Sequence, residues 1–265
     1  MATVAELSSP YENHLVKVLP AGAGVCRICH TIVLGDWDQC YQCNKAVRRL
    51  PTTASAVAFV ALAVKNEQLA RELWLYKNAR PEHVRNRVRL GLASVLWRWL
   101  AGHEQCLADR AGVTDFPVVT TVPSTNGRAD HPLDDLAGHI VGATAKRFRP
   151  LLRAVESDGG GRDFGVDRFD IVGGVDRDLP VLLVDDTWTS GAHAQSAAAA
   201  LRAAGSGPVA IACIGRHFNR HPAQEEYRRP AEAYYRNART TGWSWAQCCL
   251  CDTGGAPGSP DGMDR

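Results

Sequence analysis

The chain has no apolar run long enough to cross a membrane as a helix. Its longest uninterrupted apolar segment, Ala56–Val64, ends at Lys65, well short of the roughly 20 residues that a bilayer requires. The first 20 residues also lack the basic and then apolar layout of a secretory signal peptide, and they carry acidic residues instead. We therefore expect a cytoplasmic protein with no membrane span.

The chain also has little net charge. Its 30 basic and 28 acidic residues leave a formal charge of +2, so bulk electrostatics give no indication of nucleic-acid binding. With 265 residues, of which 45% are hydrophobic, the chain is long enough for one full α/β domain and a small appended module.

Nine cysteines in a chain expected to be cytoplasmic favour metal binding over disulfides. Cys26-x-x-Cys29 and Cys40-x-x-Cys43 are two CxxC knuckles separated by ten residues. A short hairpin between them would bring four thiolates onto one tetrahedral ion with no open position, which predicts a structural zinc. A redox dithiol or chance clustering is the alternative. Few apolar residues surround the knuckles, so the metal would supply the folding free energy.

Three further cysteines, Cys248, Cys249 and Cys251, follow a Trp-Ser-Trp segment near the end of the chain. Without a fourth ligand they do not specify a metal site. They could lie near the ribbon, form a site across a homodimer, or belong to a buried tail. Cys106 and Cys213 lie in apolar contexts and are predicted to pack in the core.

The segment from residue 181 to residue 193 carries the strongest functional pattern. Four apolar residues predict a buried strand, Asp185 and Asp186 follow at its carboxyl end, and a Thr-Ser-Gly turn then opens an alanine-rich helix. The N–H groups of a helix N-terminus favour a phosphate, and carboxylates accept hydrogen bonds from sugar hydroxyls or hold a cation. Together they predict a phosphorylated-ribose site.

Other interpretations of the paired acids are less complete. A receiver domain carries its paired acids after its first strand, near its own start, and a haloacid-type phosphatase needs two Asp separated by one residue. A polar strand end or a metal site of another α/β enzyme remains an alternative. A polar strand end or such a metal site does not account for the full order of strand, paired acids, Thr-Ser-Gly loop and helix.

This segment resembles the 5-phosphoribosyl-1-pyrophosphate (PRPP) signature of type I phosphoribosyltransferases. By the resemblance, Asp185 and Asp186 bind the ribose 2′ and 3′ hydroxyls. The 5′-phosphate would be held by the loop residues Thr189, Ser190, Gly191, Ala192 and His193. Two positions depart from the commonest form: Thr187-Trp188 fills the spacer, and His193 replaces a frequent Thr, so that an imidazole would take the place of a hydroxyl.

Strand and helix patterns alternate from residue 116 onward, which predicts a parallel sheet with helices on both faces. Strands are predicted at 57–64, 116–122, 169–175, 179–184 and 209–214. Helices are predicted at 66–76, 81–103, 132–147 and 195–204.

The order of parts over residues 24–216 resembles the competence-protein-F (ComF)-like branch of the same family. Members carry a four-cysteine ribbon, a strand, a Lys-containing linker like Tyr76-Lys77-Asn78-Ala79-Arg80, a long helix, a Val-Pro loop and the PRPP motif. The resemblance places the pyrophosphate loop at 123–128, with Arg128 as its basic side chain. Residues 128–135 depart from the usual Arg-Gly-Phe-Asn-Gln-like segment, and His131, Asp134 and Asp135 could supply polar contacts there, although N-capping is the simpler role for the acids.

The resemblance implies the type I phosphoribosyltransferase fold, an α/β fold with a central, mainly parallel sheet flanked by helices, here with a small N-terminal zinc ribbon. The predicted organisation is an N-terminal arm at 1–20, the ribbon at 21–50, the main domain at 51–235 and a Cys- and Trp-containing tail at 236–265 whose end is expected to be disordered.

The implied activity is transfer of phosphoribosyl from PRPP–Mg²⁺ to an unknown nitrogen acceptor, with release of pyrophosphate. Asp185, Asp186 and Arg128 are the expected catalytic residues. The alternative is a non-catalytic ribose-phosphate-binding protein of the ComF type that acts in DNA uptake or regulation. Its ribbon would then contact nucleic acid or a protein partner.

Overall fold

The computed structural model describes residues 2–124, 131–155 and 163–251. Its centre is a four-stranded, fully parallel sheet with the strand order β1-β6-β5-β2. These strands are β1 (Ala56–Val64), β2 (Val118–Thr121), β5 (Val181–Trp188) and β6 (Val209–Phe218). The expected α/β class with a parallel central sheet is thereby confirmed.

The sheet strands are nearly continuous apolar runs because helices cover the sheet. Every residue of β1 is buried, as are the first six of β5 and the first eight of β6, which is typical of a parallel sheet rather than of an alternating, half-exposed one. The polar residues of β5 come only at its carboxyl end. The apolar residues of β5 are therefore buried in the sheet, and its polar residues lie at the carboxyl-end edge of the sheet.

Eight α-helices accompany the strands in the described residues. They are α1 (Val4–Ser8), α2 (Tyr41–Arg49), α3 (Gln68–Asn78), α4 (Glu82–Ala111), α5 (Pro132–Asp135), α6 (Gly142–Ala145), α7 (Ala192–Ala203) and α8 (Glu225–Thr241). The long helix α4 packs against β1 and β6, and its residues Leu92, Leu96 and Trp99 are buried. It continues eight residues beyond the predicted end, to Ala111, and is terminated by Gly112, whose φ is +71°.

Two sequence predictions in the middle of the chain are wrong. Residues 169–175 do not join the central sheet; β4 (Phe169–Ile171) pairs antiparallel with β3 (Leu152–Ala154) in a separate two-stranded sheet. The helix predicted at 132–147 is broken into α5, a π-helical turn (Leu136–Ile140) and α6. An apolar pattern does not reveal which strand a segment pairs with, nor a local change of helical pitch.

The N-terminal arm is folded onto the core rather than loosely ordered. After α1 and a 3₁₀ turn (Ser9–Asn13), the side chains of Leu15, Val16, Val18 and Leu19 are buried. The N–H of Leu62 on β1 donates to the carbonyl of Val16 at 2.8 Å. This segment thus covers the outer strand of the sheet.

The cysteine-rich segment that follows has little regular structure apart from isolated bridges and α2. Cys40 is the N-cap of α2 and Cys43 lies in its first turn, so the second pair sits at the start of a helix. Tyr234 of α8 fastens the segment: its hydroxyl donates to the carbonyl of His30 at 2.7 Å and accepts from the N–H of Leu19 at 3.1 Å. Helix α8 also runs through residue 235, where a boundary was predicted.

Within 2–124, 131–155 and 163–251, no helix combines the length and the apolar character needed to cross a membrane.

Candidate functional site

A cavity of about 320 Å³ opens at the carboxyl ends of β5 and β2. It brings together the paired acids Asp185 and Asp186, the loop after them and the first turn of α7. Its walls are formed by Tyr76, Lys77, Val122, Pro123, Ser124, His131, Pro132, Leu133, Asp134 and residues 185–194. All predicted site residues of the β5–α7 segment therefore face one space.

The loop between β5 and α7 depends on Gly191. This residue is the N-cap of α7 and has a φ of +80°, a left-handed conformation that side chains other than glycine rarely adopt. A Cβ atom at this position would also overlap the indole ring of Trp188. Inside the turn, the Ser190 hydroxyl accepts from the N–H of Ala192 at 3.3 Å. The backbone conformation of the loop thus requires glycine at position 191, where it packs against Trp188.

The two carboxylates of the pair have different surroundings. Asp186 accepts a hydrogen bond from the hydroxyl of Tyr76 and forms an ion pair with Lys77. Asp185 instead accepts from the backbone N–H of Asp186 at 2.8 Å. Lys77 therefore balances the charge of Asp186, whereas Asp185 has no cationic partner among its described hydrogen bonds.

These surroundings raise the pKa values of Asp185 and Tyr76. Burial, and then the negative charge of Asp186, raise the pKa of Asp185 to about 7, although the positive charge of Lys77 opposes this shift. Burial and the charge of Asp186 likewise raise the pKa of Tyr76 well above its usual value, so this phenol remains a donor. At neutral pH Asp185 is thus protonated part of the time and can both accept from and donate to hydroxyl groups.

The opposite wall begins at the end of β2. His131 and Asp134 line the cavity, and the hydroxyl of Thr121 donates to Asp134. Asp135 does not line it and pairs with Arg89 and His139 instead. Arg128, the predicted pyrophosphate ligand, lies outside the described residues.

His193 lies in the first turn of α7, beside the loop. Burial, with smaller contributions from the positive charges of Arg168 and Lys77, lowers the pKa of its imidazole. The ring is therefore neutral near pH 7 and offers one donor and one acceptor to a ligand. The N-terminus of α7 supplies the positive end of a twelve-residue helix at the same place.

Two residues at the centre of the site were not predicted as site residues. Tyr76 and Lys77 stand near the end of α3, and only the packing of α3 beside the sheet brings them to Asp186, which is 110 residues from Tyr76 in sequence. The sequence feature that could have indicated their role is the linker Tyr76–Arg80, which is part of the resemblance to the ComF-like branch.

The four predicted metal ligands of the ribbon come together. The sulfur atoms of Cys26, Cys29, Cys40 and Cys43 all lie within 4.8 Å of one another. The Sγ atoms of Cys29 and Cys40 are 3.5 Å apart, compared with about 3.8 Å between thiolates on an ideal tetrahedral zinc with bonds of about 2.3 Å. This cluster could hold a structural metal such as zinc.

Arg216 of β6 connects the cysteine cluster to the cavity loop. Its side chain is only 6% exposed. Nε donates to the carbonyl of Cys29 at 2.9 Å, and Nη2 lies 3.6 Å from the Cys29 sulfur. Nη1 donates to the carbonyls of Trp188 and Thr189 at 3.2 and 3.3 Å. Since four thiolates on a divalent metal carry a net negative charge, a buried guanidinium beside them is electrostatically favourable.

No model of a known protein family matches the chain, and no curated protein is significantly similar to it in sequence. What the chain does must therefore be inferred from the residues of the cavity and of the cysteine cluster.

Proposed function

We propose that the cavity binds PRPP with Mg²⁺ and that the chain is a phosphoribosyltransferase-like protein of the type I fold, acting on a nitrogen acceptor. The observation that carries this proposal is the convergence of the Asp185–Asp186 pair and the N-terminus of α7 on one cavity. A sugar diol and a phosphate need these two kinds of group, a few ångströms apart.

In this proposal the 5′-phosphate accepts hydrogen bonds from the loop at Thr189–His193, where backbone N–H groups and the Thr189 and Ser190 hydroxyls are available. The ribose hydroxyls are bound by Asp185 and Asp186. The ion pair of Asp186 with Lys77 fixes that carboxylate in place, so little side-chain entropy is lost when the ligand binds.

The chemistry requires positioning more than a covalent nucleophile. A nitrogen of the acceptor attacks the anomeric carbon as the bond to pyrophosphate breaks, and positive charge develops on the ribose ring. Asp185 and Asp186 hold the ring and stabilise that charge. Mg²⁺ carried by PRPP would supply positive charge that offsets the charge of the pyrophosphate leaving group, and Arg128 is proposed to assist it.

We further propose that zinc fills the four-cysteine cluster in a structural role. Four sulfur ligands leave no open coordination position for a substrate, which is the arrangement of structural rather than catalytic zinc.

Asp185→Asn and Asp186→Asn are each expected to raise the dissociation constant of PRPP–Mg²⁺ about 10- to 150-fold, since hydrogen bonds to charged groups contribute about 1.5–3 kcal/mol. Isothermal titration calorimetry on the zinc-loaded protein measures this change. A panel of bases and amines, assayed for pyrophosphate release, then identifies the acceptor.

Asp170→Asn is the matched control, because Asp170 is an exposed acid of β4 that pairs with Arg153 away from the cavity. It should bind PRPP like the unmodified protein. Absence of PRPP binding by the folded, zinc-loaded protein would overturn the proposal.

A second candidate function is favoured by the outer face of the cysteine-rich segment. Trp37 and Tyr41 are 72% and 76% exposed there, and they line one groove together with the basic residues Lys45, Arg48 and Arg49. Exposed aromatic rings beside cations suit stacking on single-stranded nucleic acid. A ribose-phosphate-binding protein without transferase activity could use this groove on DNA.

If this groove binds single-stranded DNA, Trp37→Ala should weaken binding about 5- to 150-fold, because stacking of one base contributes about 1–3 kcal/mol. Replacing Arg48 and Arg49 should lower the salt slope of log K by about 1.4. Fluorescence anisotropy with labelled oligonucleotides measures both effects. Trp74→Ala, at a tryptophan of α3 that is 59% exposed, is the control, and equal losses for both tryptophans would argue against the groove.

A further inference from the structure

A second cluster of metal-binding side chains lies between α4 and the last described segment. The ligand atoms of His103, Cys106, Cys248 and Cys251 all lie within 4.8 Å of one another. Cys106 and Cys251 are 145 residues apart in sequence, so their meeting is a product of the fold.

Each half of the cluster is formed locally. His103 and Cys106 are three residues apart on α4 and therefore share one face of the helix. Cys248 and Cys251 form a turn in which backbone N–H groups donate to sulfur, from Leu250 to the Cys248 sulfur at 3.3 Å and from Cys248 to the Cys251 sulfur at 3.1 Å. Such N–H donors stabilise thiolates. The pattern His-x-x-Cys with Cys-x-x-Cys repeats the spacing of the first cluster.

The distances fit the corners of a tetrahedron around one ion. With bonds of about 2.3 Å to sulfur and about 2.0–2.1 Å to nitrogen, the corners are separated by about 3.8 Å between two sulfurs and about 3.6 Å between sulfur and nitrogen. The Cys251 sulfur is 3.8 Å from that of Cys106 and 3.5 Å from that of Cys248. His103 Nδ1 is 3.6 Å from the Cys251 sulfur and 3.8 Å from the Cys106 sulfur.

The imidazole of His103 is oriented for metal binding. Its Nε2 lies 2.9 Å from the carbonyl oxygen of Trp245. A carbonyl only accepts, so this contact places the proton on Nε2 and leaves the lone pair of Nδ1 directed at the sulfurs. A backbone carbonyl that fixes the tautomer of a ligand histidine is the usual outer partner in zinc sites.

We propose that His103, Cys106, Cys248 and Cys251 bind a second structural zinc ion. The sulfur separations of 3.5–3.8 Å are far from the roughly 2.05 Å of a disulfide. Three sulfurs and one nitrogen form a closed tetrahedral set, so this zinc has no position for a substrate. Cys106, predicted to pack in the core, supplies one ligand, and His103 is the fourth ligand that the C-terminal cysteines lacked in sequence.

The role of this zinc is to fasten residues 243–251 onto the core. Trp243 donates from its indole N–H to the carbonyl of Val60 on β1 at 2.7 Å. The guanidinium of Arg98 lies 4.1 Å from the centre of the Trp245 ring. A metal that joins α4 to this segment restricts the unfolded chain over a long loop, which increases stability.

Zinc content per chain tests the proposal. Elemental analysis of the full-length protein should give two zinc ions per chain, and the Cys248→Ser/Cys251→Ser variant should retain one. Cys249→Ser is the matched control, because Cys249 lies between these two residues in sequence and is buried but is not part of the cluster. This variant should retain two zinc ions. One zinc per folded chain before substitution, or two in the double variant, would overturn the proposal.

A measurement on the unmodified protein covers the case in which the double variant does not fold. Alkylation of cysteines, located by peptide mass spectrometry, should leave Cys106 and Cys251 protected until a chelator is added. Alkylation of Cys106 and Cys251 that is equally fast with and without the chelator would contradict a bound metal.

Discussion

Gly191→Ala is expected to lower the free energy of unfolding by about 2–5 kcal/mol, through two separate penalties. A left-handed backbone costs a residue with a Cβ about 1–2 kcal/mol, and forcing an extra carbon into a packed site costs about 1–3 kcal/mol. Gly191 has a φ of +80°, and the added Cβ would overlap Trp188. This tryptophan is fully buried and packs edge-to-face on Phe59 at 5.7 Å, so it has no space into which to move.

The same substitution should also remove most of the PRPP affinity, because Gly191 sets the direction of the N–H groups at the start of α7. Urea unfolding followed by circular dichroism measures the stability, and calorimetry below the midpoint measures binding. Gly173→Ala is the matched control, since Gly173 has a φ of +76° and no atom near its would-be Cβ. Gly173→Ala should lower the free energy of unfolding only by the backbone penalty and should leave PRPP binding unchanged. Equal stability losses in the Gly173→Ala and Gly191→Ala variants would show that overlap with Trp188 does not cause the loss at Gly191.

Loss of the metal from the four-cysteine cluster is expected to lower the free energy of unfolding more than Gly191→Ala does. The Cys26→Ser/Cys29→Ser variant removes two ligands, one of them the Cys29 sulfur that lies 3.6 Å from the buried guanidinium of Arg216. Breaking a buried charge pair in this way costs about 3–5 kcal/mol, in addition to the lost metal-binding free energy. We expect residues 21–50 to unfold and the melting temperature to fall sharply.

PRPP binding should fall together with stability, since Arg216 donates to the carbonyls of both Trp188 and Thr189 in the cavity loop. Calorimetry at a temperature where α/β structure persists by circular dichroism measures this. Cys249→Ser controls for the loss of a buried thiol outside the first cluster. Unchanged PRPP affinity in the Cys26→Ser/Cys29→Ser variant would mean that the ribbon and the cavity are independent.

The core of the candidate site could be predicted from sequence because it is local. Asp185, Asp186 and the loop to His193 belong to one strand, one turn and one helix, and their chemistry follows from their order along the chain. The strands β1 and β6 were equally evident, since continuous apolar runs of this length are typical of a covered parallel sheet. The four ribbon cysteines were found by spacing alone.

The remaining features depend on tertiary packing, which leaves no local pattern. Tyr76 and Lys77 reach Asp186 only because α3 packs beside the sheet. His103 and Cys106 have the spacing of an ordinary helix face, and nothing in their neighbourhood indicates Cys248 and Cys251. Helix α8 was not predicted, and it contains Pro230, a residue that usually interrupts a helix.

The position of Arg216 has a thermodynamic consequence beyond the two sites that it touches. If the metal and the ligand both stabilise the arrangement of this one side chain, their binding free energies are linked, and the linkage is reciprocal. PRPP would then raise the equilibrium affinity of the ribbon for zinc by the same factor by which zinc raises the affinity for PRPP. Metal retention in the ribbon would thus report how fully the distant cavity is occupied.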